Sequence, residues 1–209
     1  MKEFGRLLIN HTLKFLFLTI TILLLGSCKE VKDIKPEELK SDLRTGDIVF
    51  RRGISPQSDI VYSLDKNSIY SHIGMVLWHN NQWSIIHSVP NEAPKGEKDR
   101  VKIEKIEEFF SKEKSKSGAV YRMDLQAEDT IVLYDLSMEI LKTKPLFDNS
   151  FSVEDTLSFY CTELVWHLYK KAINKDLTEK RRHKFPLFPP LILCSDIQKY
   201  PDLNPIFEY

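Results

Sequence analysis

Cysteine is scarce in this chain, with three in 209 residues. So few thiols exclude a densely disulfide-stapled scaffold, and each one invites its own explanation. Neither sign of charge is in excess, since 30 Lys and Arg balance 30 Asp and Glu. That balance gives no electrostatic case for a nucleic-acid partner. A composition 42% hydrophobic and 29% charged also excludes wholesale disorder. The chain lacks a run of the roughly 20 apolar residues that a membrane-spanning helix needs. It has no internal repeat and no closely spaced pair of Cys or His ligands of the structural-zinc kind, so we expect no metal and no cofactor. What is left is the profile of one ordinary globular domain.

What the chain does contain begins at its N-terminus. Lys2, Arg6 and Lys14 precede the uncharged run "FLFLTITILLL", Phe15 to Leu25, which ends in small residues before Cys28. This is the layout of a secretory signal. The sequence "LGSC", Leu25 to Cys28, resembles the bacterial lipobox. The resemblance implies removal of residues 1–27, a lipid on Cys28, a membrane as partner through that lipid, and a place in the bacterial cell envelope. Buried acyl chains contribute about 0.8 kcal/mol per methylene, enough for several chains to hold a domain at a bilayer. Residues 28–43 read as a tether and residues 44–209 as a single domain. Cys161 and Cys194 would then be the remaining thiols, free or paired with each other.

Within the domain, "GDIVFRR" (Gly46–Arg52) is β-rich, and "SPQSDIVYSLD" predicts a helix with Ser55 as N-cap and Pro56 at its first position. Two strand-like runs follow, "SHIGMVLWH" and "QWSIIHSV", separated by Asn80 and Asn81, which tolerate the left-handed conformations of a tight hairpin. A strand at Val101–Ile103, a helix around Ile106–Lys114, a strand "AVYRMDL" and a helix over Glu128–Lys142 come next. A loop from Pro145 then leads to the helix opened by Cys161. The tail carries a basic cluster, Lys180–Lys184, and a proline-rich segment, Phe185–Pro190.

The chemistry-bearing residues sit in two of these elements. From Cys161, the positions Leu164, Val165, Leu168 and Ala172 form a helical apolar stripe, so Cys161 could be a small hydrophobe of the core. Its place in the first turn, among unsatisfied N–H groups at the positive end of the helix dipole, instead favours a thiolate nucleophile. Glu163 fits that same first turn as an acid complementing the dipole. If Asn80 and Asn81 are the two turn residues, Trp78 faces Trp83, Val76 faces Ile85 and Gly74 faces His87. His72 and His87 then share one sheet face as diagonal neighbours, with β-carbons roughly 7–8 Å apart or less. A slip of one residue would move one of them to the other face. Nucleophile, base and orienter are thus available as Cys161, His72 and His87. His79 falls at the turn, His167 on another side of the helix, His183 in the basic cluster and His11 in the leader.

The motifs "TGDIVF", "YSHIGMV", "IIHSV" and "FDNSFSVEDTLSFYCTELVW", in that order, resemble the circularly permuted papain-like enzymes of the NlpC superfamily, in particular the YiiX-type group. The permutation shows in the order, with His72 preceding Cys161. The resemblance implies an α/β (α+β) papain-like fold in which an antiparallel sheet packs against the cysteine-bearing helix. It implies Cys161 as nucleophile and His72 as its base, with His87 in a third position that is often glutamate in this group. Tyr160, Glu163 and Asp47 lie inside matching motifs and are candidate site-lining residues, with a structural role the preferred reading of Asp47. The implied activity is hydrolysis of amide bonds in a peptide or related amide, for instance in cell-wall material. Alternatives on the same scaffold are a lipid acyltransferase or thioesterase-like enzyme, a peptide-binding lipoprotein without chemistry, and a zinc site built from His72, His87 and Cys161.

Overall fold

A computed structural model describes residues 40–153, 157–186 and 188–209. The expected leader (residues 1–27), the lipid-bearing Cys28 and most of the tether lie outside the described residues. Among the described residues no helix is long and apolar enough to cross a membrane.

A six-stranded antiparallel sheet in the order β10-β5-β1-β2-β3-β4 forms the centre. Its strands are β1 (Ile48–Gly53), β2 (His72–His79), β3 (Gln82–Ser88), β4 (Val101–Lys105), β5 (Ser115–Arg122) and β10 (Asn204–Glu208). Asn80 and Asn81 both adopt left-handed conformations, with φ of 49° and 64°, and close the β2–β3 turn. Their tolerance of positive φ sets the hairpin's register. Val76 is opposite Ile85 and Trp78 is opposite Trp83, as the turn chemistry predicts.

Side-chain alternation divides the sheet into two apolar faces. Ile48, Phe50, Ile73, Met75 and Ile86 point to one face and pack under Leu133, Leu164, Val165 and Leu168. Those four belong to helices α3 (Ala127–Thr143) and α4 (Cys161–Ile173). Val49, Val76, Ile85 and Val120 point to the other face, against Phe109, Phe110 and Phe207. The cysteine-bearing helix therefore packs on the sheet as the resemblance implied.

Helix α1 (Pro56–Leu64) starts as expected, since Ser55 Oγ accepts from the Ser58 N–H and Pro56 occupies the first position. Helix α2 is shorter than the predicted Ile106–Lys114, covering only Ile106–Phe109. Phe109 and Phe110 both turn into the core, which ends the helix and frees Lys114 to point elsewhere. Strand β5 correspondingly begins earlier than the sequence pattern suggested. The tail holds more than a basic cluster: β8 (His183–Phe185) and β9 (Phe188–Leu191) pair, and helix α5 (Cys194–Gln198) precedes β10, which completes the sheet edge. A two-residue parallel pair, β6 (Leu146–Phe147) with β7 (Ser158–Phe159), brings the loop after α3 up to the head of α4.

Candidate active site

Tyr160 is the extended N-cap of α4, which makes Cys161 the first helical residue. The Glu163 carboxylate turns back to accept the Tyr160 N–H at 3.2 Å. This is the dipole-complementing role its first-turn position suggested, and it holds Glu163 in the core rather than in a cleft. On either side of the thiol, the chain is tied to one downstream residue. Tyr160 Oη accepts the Ile192 N–H at 3.0 Å, and Thr162 Oγ1 donates to the Ile192 carbonyl at 2.7 Å. Tyr160 and Thr162 are buried, and Cys161 between them opens partly onto a cavity of about 580 Å³.

His72 stands on another wall of the same cavity. It shares its sheet face with Val76 by alternation, and His87 shares that of Ile85, so the two imidazoles meet. His72 Nε2 and His87 Nδ1 are 2.8 Å apart. Gly74 makes room for this: a β-carbon there would come within 2.4 Å of Ile85 Cγ2 and 3.2 Å of His87 Cβ. The Phe109 ring backs both imidazoles, at centroid distances of 5.5 and 5.4 Å. Cys161 and His72 do not hydrogen-bond directly, a separation that thiol and base sites commonly close when substrate arrives.

Behind the histidines lies a buried charged cluster that sequence reasoning missed. His87 Nε2 is 3.2 Å from Glu104 Oε1, and neither atom forms a well-aligned hydrogen bond. Glu104 Oε2 accepts from Lys114 at 2.7 Å, with Lys102 at 3.4 Å. Arg51 is opposite His72 in the β1–β2 ladder, pairs with Glu92 at 2.5 Å, and donates to the Phe109 carbonyl at 3.0 Å. Its Nε has no partner. Glu104 and Arg51 are buried, which for charged side chains marks a paired or functional site.

This setting shifts the protonation equilibria of the site. Burial pushes the Cys161 thiol up to about 11, outweighing the N–H groups of Thr162, Ile73 and Cys161 and the charge of Arg51, which favour thiolate. The helix-start donors act as expected, but desolvation wins. Burial, followed by the charge of Arg51, holds His72 well below the ordinary imidazole range. Burial also lowers His87, against the opposing pull of Glu104. Burial alone would raise Glu104, but His87, Lys114 and Lys102 bring it well below the usual carboxylate range. The resting pair is thus thiol and neutral imidazole, backed by an ionised carboxylate.

The remaining candidates fall elsewhere. Asp47, a site-lining candidate for which a structural role is the preferred reading, is at the far end of β1, where Arg122 grips it with two bonds of 2.8 Å. Its burial needs that partner, which accounts for the motif position structurally. His79 bonds Tyr134 at 3.0 Å, His167 packs on Phe159, and His183 pairs with Asp196 at 2.8 Å. Cys161 and Cys194 are both free thiols, and Cys194 is buried. Glu104 carried no readable signal because the connection from β3 to β4 is too long to fix a register.

Comparison with known proteins agrees with this geometry. The family model described as "Permuted papain-like amidase enzyme, YaeF/YiiX, C92 family" matches residues 42–186. The uncharacterized protein YiiX of Escherichia coli K12 is 28% identical over 168 residues, covering 79% of this chain and 77% of that protein. The crystal structure of metalloprotein YiiX from Escherichia coli O157:H7 superposes with a TM-score of 0.66 at 22% identity, covering 79% of this chain and 97% of that one. "Metalloprotein" describes that neighbour. Among the described residues here, no three His, Cys, Asp or Glu side chains gather as metal ligands would, and the histidines face each other instead.

Proposed function

The chain belongs to the permuted papain-like amidases of the YaeF/YiiX type, and from that premise we propose that it cleaves an amide bond with Cys161 as nucleophile, His72 as general base and His87 as orienter. The observation that carries this reading is the 2.8 Å bond between the histidines, with His72 and Cys161 lining one cavity. Because thiol and imidazole both rest neutral, proton transfer accompanies attack. His72 Nδ1 takes the thiol proton as Sγ bonds to the carbonyl carbon, and the backbone N–H of Cys161 supports the oxyanion. His72 then gives that proton to the leaving nitrogen as the C–N bond breaks. Water, deprotonated by His72, attacks the thioester, releasing the acid and restoring the thiol.

Replacement of Cys161 by Ala and, separately, of His72 by Ala tests this. Each variant should stay folded and lose turnover on an amide panel, by roughly a thousandfold or more for the nucleophile. Unchanged turnover in Cys161→Ala sinks the mechanism. The cellular address proposed is the bacterial envelope, with lipid on Cys28 after loss of residues 1–27. Metabolic palmitate labelling that survives Cys28→Ser would contradict it.

The cavity lining favours a more specific reading of the acyl side. Ile54, Ile60, Val61, Leu64, Phe147 and Phe151 make most of its wall apolar, which suits an aliphatic acyl chain better than a polar cell-wall peptide. On this second reading the thioester carries a fatty acyl group, which water or another acceptor removes. A series of N-acyl amides of increasing chain length decides between the two. Specificity rising with length supports the acyl reading, and indifference to length returns the peptide.

A further inference from the structure

We infer that Glu104 is a positioning residue that sets the tautomer of both histidines, leaving the remaining nitrogen of His72, Nδ1, as a proton acceptor. The inference rests on the reading of Cys161 and His72 as nucleophile and base. It follows from counting donors and acceptors along one line of atoms. An ionised carboxylate only accepts. The groups facing Glu104 are all donors or potential donors: Lys114 Nζ at 2.7 Å and Lys102 Nζ at 3.4 Å on one oxygen, His87 Nε2 at 3.2 Å and Arg51 Nη1 at 3.6 Å on the other. His87 Nε2 has no other hydrogen bond. A lone pair there would face a carboxylate in a buried site, whereas a proton there is attracted to it.

With Nε2 protonated, neutral His87 presents a lone pair at Nδ1. Its partner 2.8 Å away, His72 Nε2, must therefore donate. Neutral His72 then carries its lone pair on Nδ1, the nitrogen that a general base requires. The order reads Glu104 attracting the His87 proton across 3.2 Å, His87 accepting from His72, and His72 ready to accept from the thiol. Reversing any one bond reverses them all.

The Glu104→Gln variant is a directional test because the cluster dictates how the amide sits. Lys114 and Lys102 demand the amide oxygen, which turns the amide N–H toward His87. His87 Nε2 must then accept, His87 Nδ1–H donates to His72 Nε2, and the proton of His72 moves to Nδ1, where it blocks the base. Imidazole ¹⁵N NMR of the full domain reads each tautomer. In the wild type both rings should be protonated at Nε2, and in Glu104→Gln both at Nδ1, with alkylation of Cys161 slowed about tenfold or more. Glu104→Asp, which keeps the acceptor, should keep the wild-type tautomers. A wild-type His72 protonated at Nδ1 overturns the inference without any variant having to fold. Wild-type tautomers persisting in Glu104→Gln overturn it equally. A Cys161 alkylated no faster than Cys194, with the tautomers as described, would instead defeat the thiol mechanism and leave the assignment of Glu104 standing.

Discussion

At the start of β1, Asp47 receives Arg122 Nε and Nη2 at 2.8 Å each and the Arg44 N–H at 2.8 Å, so both of its oxygens are well bonded. At the other end of the same strand Arg51 is as deeply buried, yet its Nε, His87 Nε2 and Glu104 Oε1 are all left without good hydrogen bonds. The residue types are alike and the strand is six residues long. A pair whose oxygens are all hydrogen-bonded to the fold serves the fold. An unsaturated cluster keeps buried polar groups whose arrangement matters to the groups beside it, here two imidazoles and a thiol.

The sharpest way to break that distinction is to remove the well-bonded carboxylate. Asp47→Ala should lose about 3 kcal/mol of stability by stranding a partly buried guanidinium. Turnover per folded molecule should stay as in the wild type when both are compared well below the melting temperature. A variant that keeps its denaturation midpoint but loses turnover would place Asp47 in the site after all.

The unsaturated end makes its own prediction in the titration of Cys161. With the thiol pushed up to about 11, iodoacetamide labelling should climb roughly a hundredfold between pH 8 and pH 10, following the thiolate fraction. A plateau already reached near neutral pH would mean that the helix-start donors outweigh burial.

A smaller effect should appear on acidification. Folded-state values of His72 and His87 are depressed below the unfolded value of about 6.5. Their contribution to stability is therefore present above that value and lost as pH falls below it. Glu92, held at about 2 despite its burial by Arg51 and Lys102, adds a further loss beginning below about pH 4.5. Urea midpoints at pH 7.5, 6 and 5 should decline in order. A flat series would show that the cluster relaxes on protonation.

Much of this was legible in the sequence because local chemistry decided it. Two asparagines in a row set the hairpin register, and that register joined His72 to His87. Ser55 and Pro56 marked a helix start, and the motif order marked the permuted fold. What could not be read depended on groups distant along the chain. Glu104 reaches His87 across a twelve-residue connection whose several turn residues fix no single register, and Arg51 looked like one more charge in a β-rich run. The burial that raises the Cys161 thiol was not readable either, because a helix start is visible in sequence and desolvation is not. The closing strand β10 was missed because Pro205 breaks its pattern and its partner β5 lies far upstream.

The two bonds that fasten Tyr160 and Thr162 to Ile192 have a consequence in time. A ribosome releases the nucleophile helix well before it releases the residue that braces it, and β10 emerges later still. Until then the thiol's flanks lack their anchor and the sheet lacks an edge strand. The growing chain is itself a string of amide bonds, and the order of synthesis withholds the finished cleft until Ile192 and β10 have left the tunnel.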